Sequence, residues 1–203
     1  MTRPGKIVCV GRNYLEHAKE LGNEVPKEPL LFLKPPSSVI EMNETIVLPP
    51  QSKQVEYEGE IGIRIGKRIS HATEGEARAA IAGIVAVNDV TARDLQKTDG
   101  QWTRAKGFDT FCPVGPVGVP PSDLDSLAVV TRVNGEERQR GVASDMAFRI
   151  PMLLAYITTI MTLEPGDLVA TGTPAGVGRL SPGDVVEVEV IGVSRITNTV
   201  AAG

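Results

Sequence analysis

Cysteine, histidine and aromatic residues are all scarce: the chain has two cysteines, two histidines and 4% aromatic residues. A metal centre built from thiolates and imidazoles, as zinc prefers, therefore has little to draw on. Cys9 and Cys112 stand in apolar or tight-turn contexts (VCV and FCP), which predicts buried free thiols in a reducing compartment rather than a disulfide. No lysine or arginine run occurs, and a formal charge of −4 with a pI near 5.3 argues against a nucleic-acid partner, whose phosphates call for clustered cations. The apolar part of the amino-terminal stretch MTRPGKIVCVGRNY is too short for a signal-peptide core or a bilayer span. A cytoplasmic protein without membrane attachment is the expectation. Also missing are GxxxxGK[ST], a GxGxxG in a strand–turn–helix setting, and GxSxG, which removes the usual nucleotide and serine-hydrolase readings.

With 203 residues, 41% of them hydrophobic, the chain can bury one substantial core, and a single domain over 1–203 is expected. Its 21 glycines and 15 prolines are dispersed, which suits short strands joined by tight turns. Valine- and isoleucine-rich runs predict strands over 6–11, 60–66, 83–90, 127–135, 167–172 and 184–192. Short helices are expected over 13–21 and 72–82, the latter after a threonine cap. A buried helix, apolar around its circumference, is expected over 146–160, its first turn following Pro151. Asn134-Gly135 predicts a type I′ hairpin turn, and the Pro-Gly-Asp repeats at 165–167 and 182–184 predict turns feeding strands. The fold class is mainly β with a few helices (α+β).

Candidate chemistry starts at Tyr57-Glu58-Gly59-Glu60, because carboxylates two apart on a strand share a face. Side by side they repel, and a hard divalent ion such as Mg²⁺, Mn²⁺ or Ca²⁺ would relieve the repulsion. Asp89, at the end of GIVAVND, is a third carboxylate delivered to an end of the sheet. Solvated acids on an edge strand, and a turn or cap role for Asp89, are the plain alternatives. His17 lies three residues before Glu20, so the two share a helix face, as a base and its orienting carboxylate do, or as any exposed helix surface does. Lys106, in WTRAKGFDTFCPVGP, could stabilise a developing enolate oxygen or be surface charge. Thr171-Gly172-Thr173-Pro174 could offer donors to a ligand or simply end a strand, and His71 reads as a loop residue.

Six ordered blocks together resemble the fumarylacetoacetate hydrolase family, especially its short acylpyruvase-like members: VGRNYLEHAKEL, PLLFLKPPSSVI, VEYEGEIGIRIGKR, VNDVTARDLQ, WTRAKGFDTFCPVGP and LEPGDLVATGTPAGVG. The resemblance implies a mixed β-sandwich roll, usually a homodimer, with Glu58, Glu60 and Asp89 as ligands of Mg²⁺ or Mn²⁺. It implies that His17 and Glu20 position an attacking water on a lid over about 13–24, hinged at Gly22-Asn23, and that Lys106 lies beside the metal. Arg93, Gln96, Thr110 and Thr173 match positions lining the substrate or metal site, and Arg12 is a further candidate. Asp109 departs from many members, which carry a small residue there. The activity implied first is hydrolysis of a carbon–carbon bond in an acylpyruvate, a small 2-oxo acid. Tautomerisation, isomerisation or decarboxylation of 2-oxo diacids is the alternative.

Overall fold

The computed structural model describes residues 3–14 and 26–203. Fifteen strands and four α-helices are assigned among these residues. One five-stranded sheet has the order β2-β1-β12-β6-β7, formed by Leu30–Lys34, Ile7–Gly11, Leu168–Ala170, Gly59–Ile65 and Ile81–Asn88. β1 and β12 run parallel and the other neighbours antiparallel. The second has the order β11-β10-β14-β15-β4, formed by Glu136–Val142, Ala128–Val133, Val185–Val190, Ser194–Ala202 and Thr45–Leu48. A small sheet, β13-β5-β8, joins Gly178–Arg179, Val55–Tyr57 and Thr91–Ala92, and Val39–Ile40 (β3) pairs with Cys112–Pro113 (β9). The mainly β class with a few helices expected from sequence is what the molecule has.

The two large sheets pack on each other, β10 and β14 against β6, and β14 and β15 against β7. β7 shows why its valine–isoleucine run is continuous: Ile84 and Ala86 enter the core between the sheets, while Val85 and Val87 enter a second core with Ile7, Cys9 and Cys112. A strand buried on both faces has no polar side to alternate with. Cys9 and Cys112 are free and buried, as their contexts predict. Burial, the largest influence, pushes the Cys112 thiol up to about 12.

The turn chemistry agrees with the sequence. Asn134 and Gly135 both have positive φ (54° and 80°) and connect β10 to β11 in a two-residue hairpin with Val133 opposite Glu136. Gly166 (φ 90°) and Gly183 (φ 92°) follow Pro165 and Pro182 in turns closed by Asp167 N to Glu164 O (3.0 Å) and Asp184 N to Ser181 O (3.1 Å). Helix α1, Glu74–Ala79, is shorter than the expected 72–82. It begins at a capping box formed by Thr73 and Glu76, and its chain enters β7 at Ile81. Helices α2 (Arg93–Thr98) and α3 (Thr103–Lys106) were not expected at all.

Helix α4 begins at Ile150, with Pro151 inside the first turn, so residues 146–149 lie outside it. It buries Ile150, Leu153, Leu154 and Ile157, whereas Ile160 is exposed; the helix packs on the core by one face rather than all round. Among the described residues no helix is long and apolar enough to cross a membrane. The helix and lid expected to begin at residue 13 meet a different outcome there. The Asn13 amide donates to Phe148 O (3.2 Å) and Thr171 O (2.8 Å), while its Oδ1 accepts from Phe148 N (2.9 Å), and Tyr14 bridges Met146. These bonds pin residues 13 and 14 in non-helical backbone. The rest of that helix and lid, with the Gly22-Asn23 hinge, lies outside the described residues.

Candidate active site

Glu58 is the single residue between β5 and β6, where the chain leaves the small sheet for the first large one. Asp89 stands at the corresponding break between β7 and β8, and its amide donates to Glu58 O (2.8 Å). The two breaks therefore face each other and bring the acids together with Glu60, two residues further along. Gly59 between them has a specific cause: a Cβ there would lie 1.9 Å from Thr131 Oγ1 on the facing sheet. Gly59 N donates to Gln139 Oε1 (3.0 Å), and the Gln139 amide donates to Thr173 Oγ1 (2.9 Å) and Pro174 O (2.8 Å). The Thr173 hydroxyl donates back to Gly59 O (2.9 Å), closing the support beneath the acids. Gly172 takes positive φ (102°) and donates its N–H to Glu60 Oε2 (2.8 Å).

Glu58, Glu60 and Asp89 are all buried, each with a carboxylate oxygen within 4.8 Å of the others. Among the described residues three cations stand against this charge. Lys106 Nζ donates to Glu58 Oε2 (2.8 Å) and Asp89 Oδ2 (2.6 Å), Lys34 Nζ to Asp89 Oδ1 (2.7 Å) and Val90 O (3.1 Å), and Arg93 Nη2 to Glu58 Oε1. Arg93 Nε also donates to Glu56 Oε2 (2.7 Å). The result is a buried chain of alternating sign: Glu56, Arg93, Glu58, Lys106, Asp89, Lys34. Glu60 is the acid left over; among the described residues it has no ion-pair partner. Burial first, then Asp89 and Glu58, hold its carboxyl well above the usual carboxylate range. Burial pulls the Lys106 ammonium down, but Asp89 and Glu58 outweigh it and the net shift is upward. An all-oxygen donor set with one acid unrelieved fits a hard divalent cation, and these three acids are the residues that would hold it.

A cavity of about 340 Å³ opens onto the acids. Of the residues expected at the site, Glu58, Glu60, Asp89, Lys106, Arg12, Arg93, Gln96 and Thr173 all line it. Thr110 does not. Its backbone is left-handed (φ 70°) and its hydroxyl accepts from Val47 N (2.9 Å), so it serves the junction with β4. Asp109 is exposed and away from the cavity, and His71 is an exposed residue of a bend. His17 and Glu20 fall outside the described residues.

Several participants escaped sequence reasoning. Lys34 is fully buried, and a lysine at the end of the apolar run LLFLK was the available signal. Glu56 continues the every-second-residue spacing of Glu58 and Glu60. Phe32 and Trp102 form an apolar wall, edge to face with centroids 5.3 Å apart, and Lys106 Nζ lies 4.9 Å from the Phe32 centroid. Their distance in sequence from the acids left no signal for that wall.

A profile of the family described as "Fumarylacetoacetate (FAA) hydrolase C-terminal" matches residues 6–201. The chain belongs to the fumarylacetoacetate hydrolase family. Named members of this family are enzymes. The chain is 46% identical over 198 residues to the Arabidopsis thaliana protein named oxaloacetate tautomerase FAHD1, mitochondrial, covering 94% of this chain and 88% of that one. The crystal structure of the 5-carboxymethyl-2-hydroxymuconate delta-isomerase of Mycobacterium smegmatis superposes with a TM-score of 0.91 at 42% identity, covering 99% of this chain and 80% of the other. That of the 2-hydroxyhepta-2,4-diene-1,7-dioate isomerase of Mycobacterium marinum gives a TM-score of 0.90 at 42% identity, with coverage of 98% and 75%. Enzymes of this family generally use a divalent metal, and here Glu58, Glu60 and Asp89 form a buried cluster that could hold one.

Proposed function

We propose that this family member is a divalent-cation-dependent enzyme that interconverts keto and enol forms of a small 2-oxo diacid, oxaloacetate being the representative substrate. The observation that carries the proposal is the buried Lys106 ammonium, 2.6 Å from Asp89 and 2.8 Å from Glu58, on the wall of the cavity. Enolisation places negative charge on the 2-oxo oxygen, and a fixed cation in a dry site is the group that stabilises it. Proton transfer of this kind needs no activated nucleophilic water, so this reading does not depend on the His17–Glu20 pair that hydrolysis requires. The names of the relatives, a tautomerase and two isomerases, support the same class. Hydrolysis, the first expectation from sequence, takes second place for that reason.

Magnesium or manganese is the cation proposed, since an all-carboxylate set suits hard octahedral ions. When bound, it supplies Lewis-acid polarisation of the 2-oxo group. Arg93 and Gln96 bind and orient the substrate carboxylate. Lys106, held by its hydrogen bonds to Glu58 and Asp89, supplies fixed positive charge beside the developing enolate oxygen, and the C3 proton is exchanged with solvent water at the open side of the cavity. Phe32 and Trp102 exclude water from the apolar side of the cavity.

Acylpyruvate hydrolysis is the second reading, favoured by the match of His17 and Glu20 to the water-positioning dyad. An assay of enol-oxaloacetate decay with and without Mg²⁺ or Mn²⁺, run beside acetylpyruvate and fumarylpyruvate, separates the two. Cation-dependent ketonisation that survives His17→Ala and is lost in Lys106→Met is the expected result. Cation-dependent cleavage of acetylpyruvate, abolished by His17→Ala, would put hydrolysis first. Release of pyruvate from oxaloacetate would point to decarboxylation instead.

A further inference from the structure

Glu56, Glu58 and Glu60 occupy every second position of one stretch of chain, yet only the latter two join the carboxylate cluster. Glu56 is 8% exposed, does not line the cavity, and has both oxygens engaged: Oε2 accepts from Arg93 Nε (2.7 Å) and Oε1 from Gln54 Nε2 (2.6 Å). We infer that Glu56 is a positioning residue that fixes the Arg93 guanidinium, and through it Gln96, to receive the carboxylate of the substrate. The inference rests on the proposal that the cavity takes a 2-oxo acid.

The backbone makes the alignment. β5 pairs with β8 so that Val55 faces Ala92 and Glu56 faces Thr91, and Arg93 N, at the start of α2, donates to Gln54 O (2.7 Å). Asp94 fastens the same junction by accepting from Ser52 Oγ (2.6 Å) and Lys53 N (2.8 Å). Arg93 thus emerges beside Glu56 with little freedom. Its three nitrogens are then held separately: Nε by Glu56, Nη2 by Glu58 and Nη1 by Gln96 Oε1. A guanidinium has five N–H donors, so two remain for a ligand in the cavity that Arg93 lines. Because Gln96 accepts through Oε1, its amide N–H₂ is the end left to donate into that cavity. A guanidinium ordered beforehand binds a carboxylate without a further ordering cost. Glu58 cannot order it alone, being shared with Lys106.

The test uses the Mn²⁺-loaded protein, with oxalate as the probe for a 2-oxo acid, and compares wild type with Glu56→Ala and Glu56→Gln. Loss of a charged hydrogen bond predicts oxalate binding weakened about tenfold or more in Glu56→Ala, less in Glu56→Gln, with Mn²⁺ affinity within about twofold of wild type. KM should rise more than kcat falls. In the diamagnetic Mg²⁺-loaded protein, the Arg93 Nε–H resonance, assigned by its absence in Arg93→Lys, should exchange slowly in wild type and vanish in Glu56→Ala. If Glu56→Ala does not fold, Glu56→Gln carries the comparison through its intermediate oxalate affinity. Mn²⁺ affinity falling in step with oxalate affinity would assign Glu56 to the cation site and overturn the inference; so would unchanged oxalate affinity in both variants. Failure of wild type to bind oxalate would sink the 2-oxo acid reading instead, and the Nε–H resonance would then decide on Glu56 alone, its persistence in Glu56→Ala refuting the role.

Discussion

The inner strands of the first large sheet are buried along nearly their whole length, as in β6 and β12, whereas β14 and β15 of the second alternate, with every second side chain buried. Each sheet or its border carries ion pairs, and the setting separates them. Arg132 on β10 meets Glu187 (2.7 Å) and Glu189 (2.9 Å) with all three side chains about a quarter exposed. Lys106 meets Glu58 and Asp89 at similar distances with all three nearly sealed from water. Equal geometry therefore carries unequal weight, because low dielectric strengthens attraction and also penalises any charge left without a partner. The first sheet can hold a reactive charge cluster because the second sheet covers it and supplies Gln139 and Thr131 from its inner face.

The sharpest way to break this contrast is Lys106→Met. Removing one partner of a buried pair typically costs ~3–5 kcal/mol, and that loss is expected in urea unfolding of the metal-free protein, with turnover abolished. A loss no larger than that of a surface pair would contradict the burial argument. Gly59→Ala should come next, since overpacking costs ~1–3 kcal/mol; adding Thr131→Ala should recover part of it, showing that the two sheets are coupled at this point.

Smaller still is a pH effect. The Glu60 carboxyl is raised above its unfolded value, so in the metal-free protein its contribution to stability is present below the ordinary carboxylate range and is lost as pH rises through the raised value. A cation competes with that proton. Mn²⁺ affinity, and the gain in Tm on adding Mn²⁺, should therefore increase with pH over the same window, and Glu60→Gln should flatten the slope. Arg132→Met should change unfolding least, by ~1 kcal/mol or less.

Much of this was legible because it is local. Valine–isoleucine runs marked six strands, and Asn134-Gly135 and the two Pro-Gly-Asp turns carry their geometry in their own residues. β15 was not seen because its sequence, SRITNTVAA, spreads its few β-branched apolar residues among polar ones, and its identity as a strand comes from β14 and β4 on either side. At the site, the spacing of Glu58 and Glu60 was visible, and so was Asp89. Lys34, Trp102 and Glu56 were not recognised, since their importance lies in contacts across sheets and helices that spacing along the chain does not encode. Thr110 shows the reverse: a position that matched a pattern and whose side chain is committed to Val47.

The alternating chain from Glu56 to Lys34 also sets a limit on transplantation. A designer who copied only Glu58, Glu60 and Asp89 into another sheet would import the repulsion without its relief, and the new acids would take up protons before they took up metal. The portable unit is larger than the ligand triad: it includes Arg93, Lys106 and Lys34, and the two strand breaks that let a glutamate and an aspartate face one another.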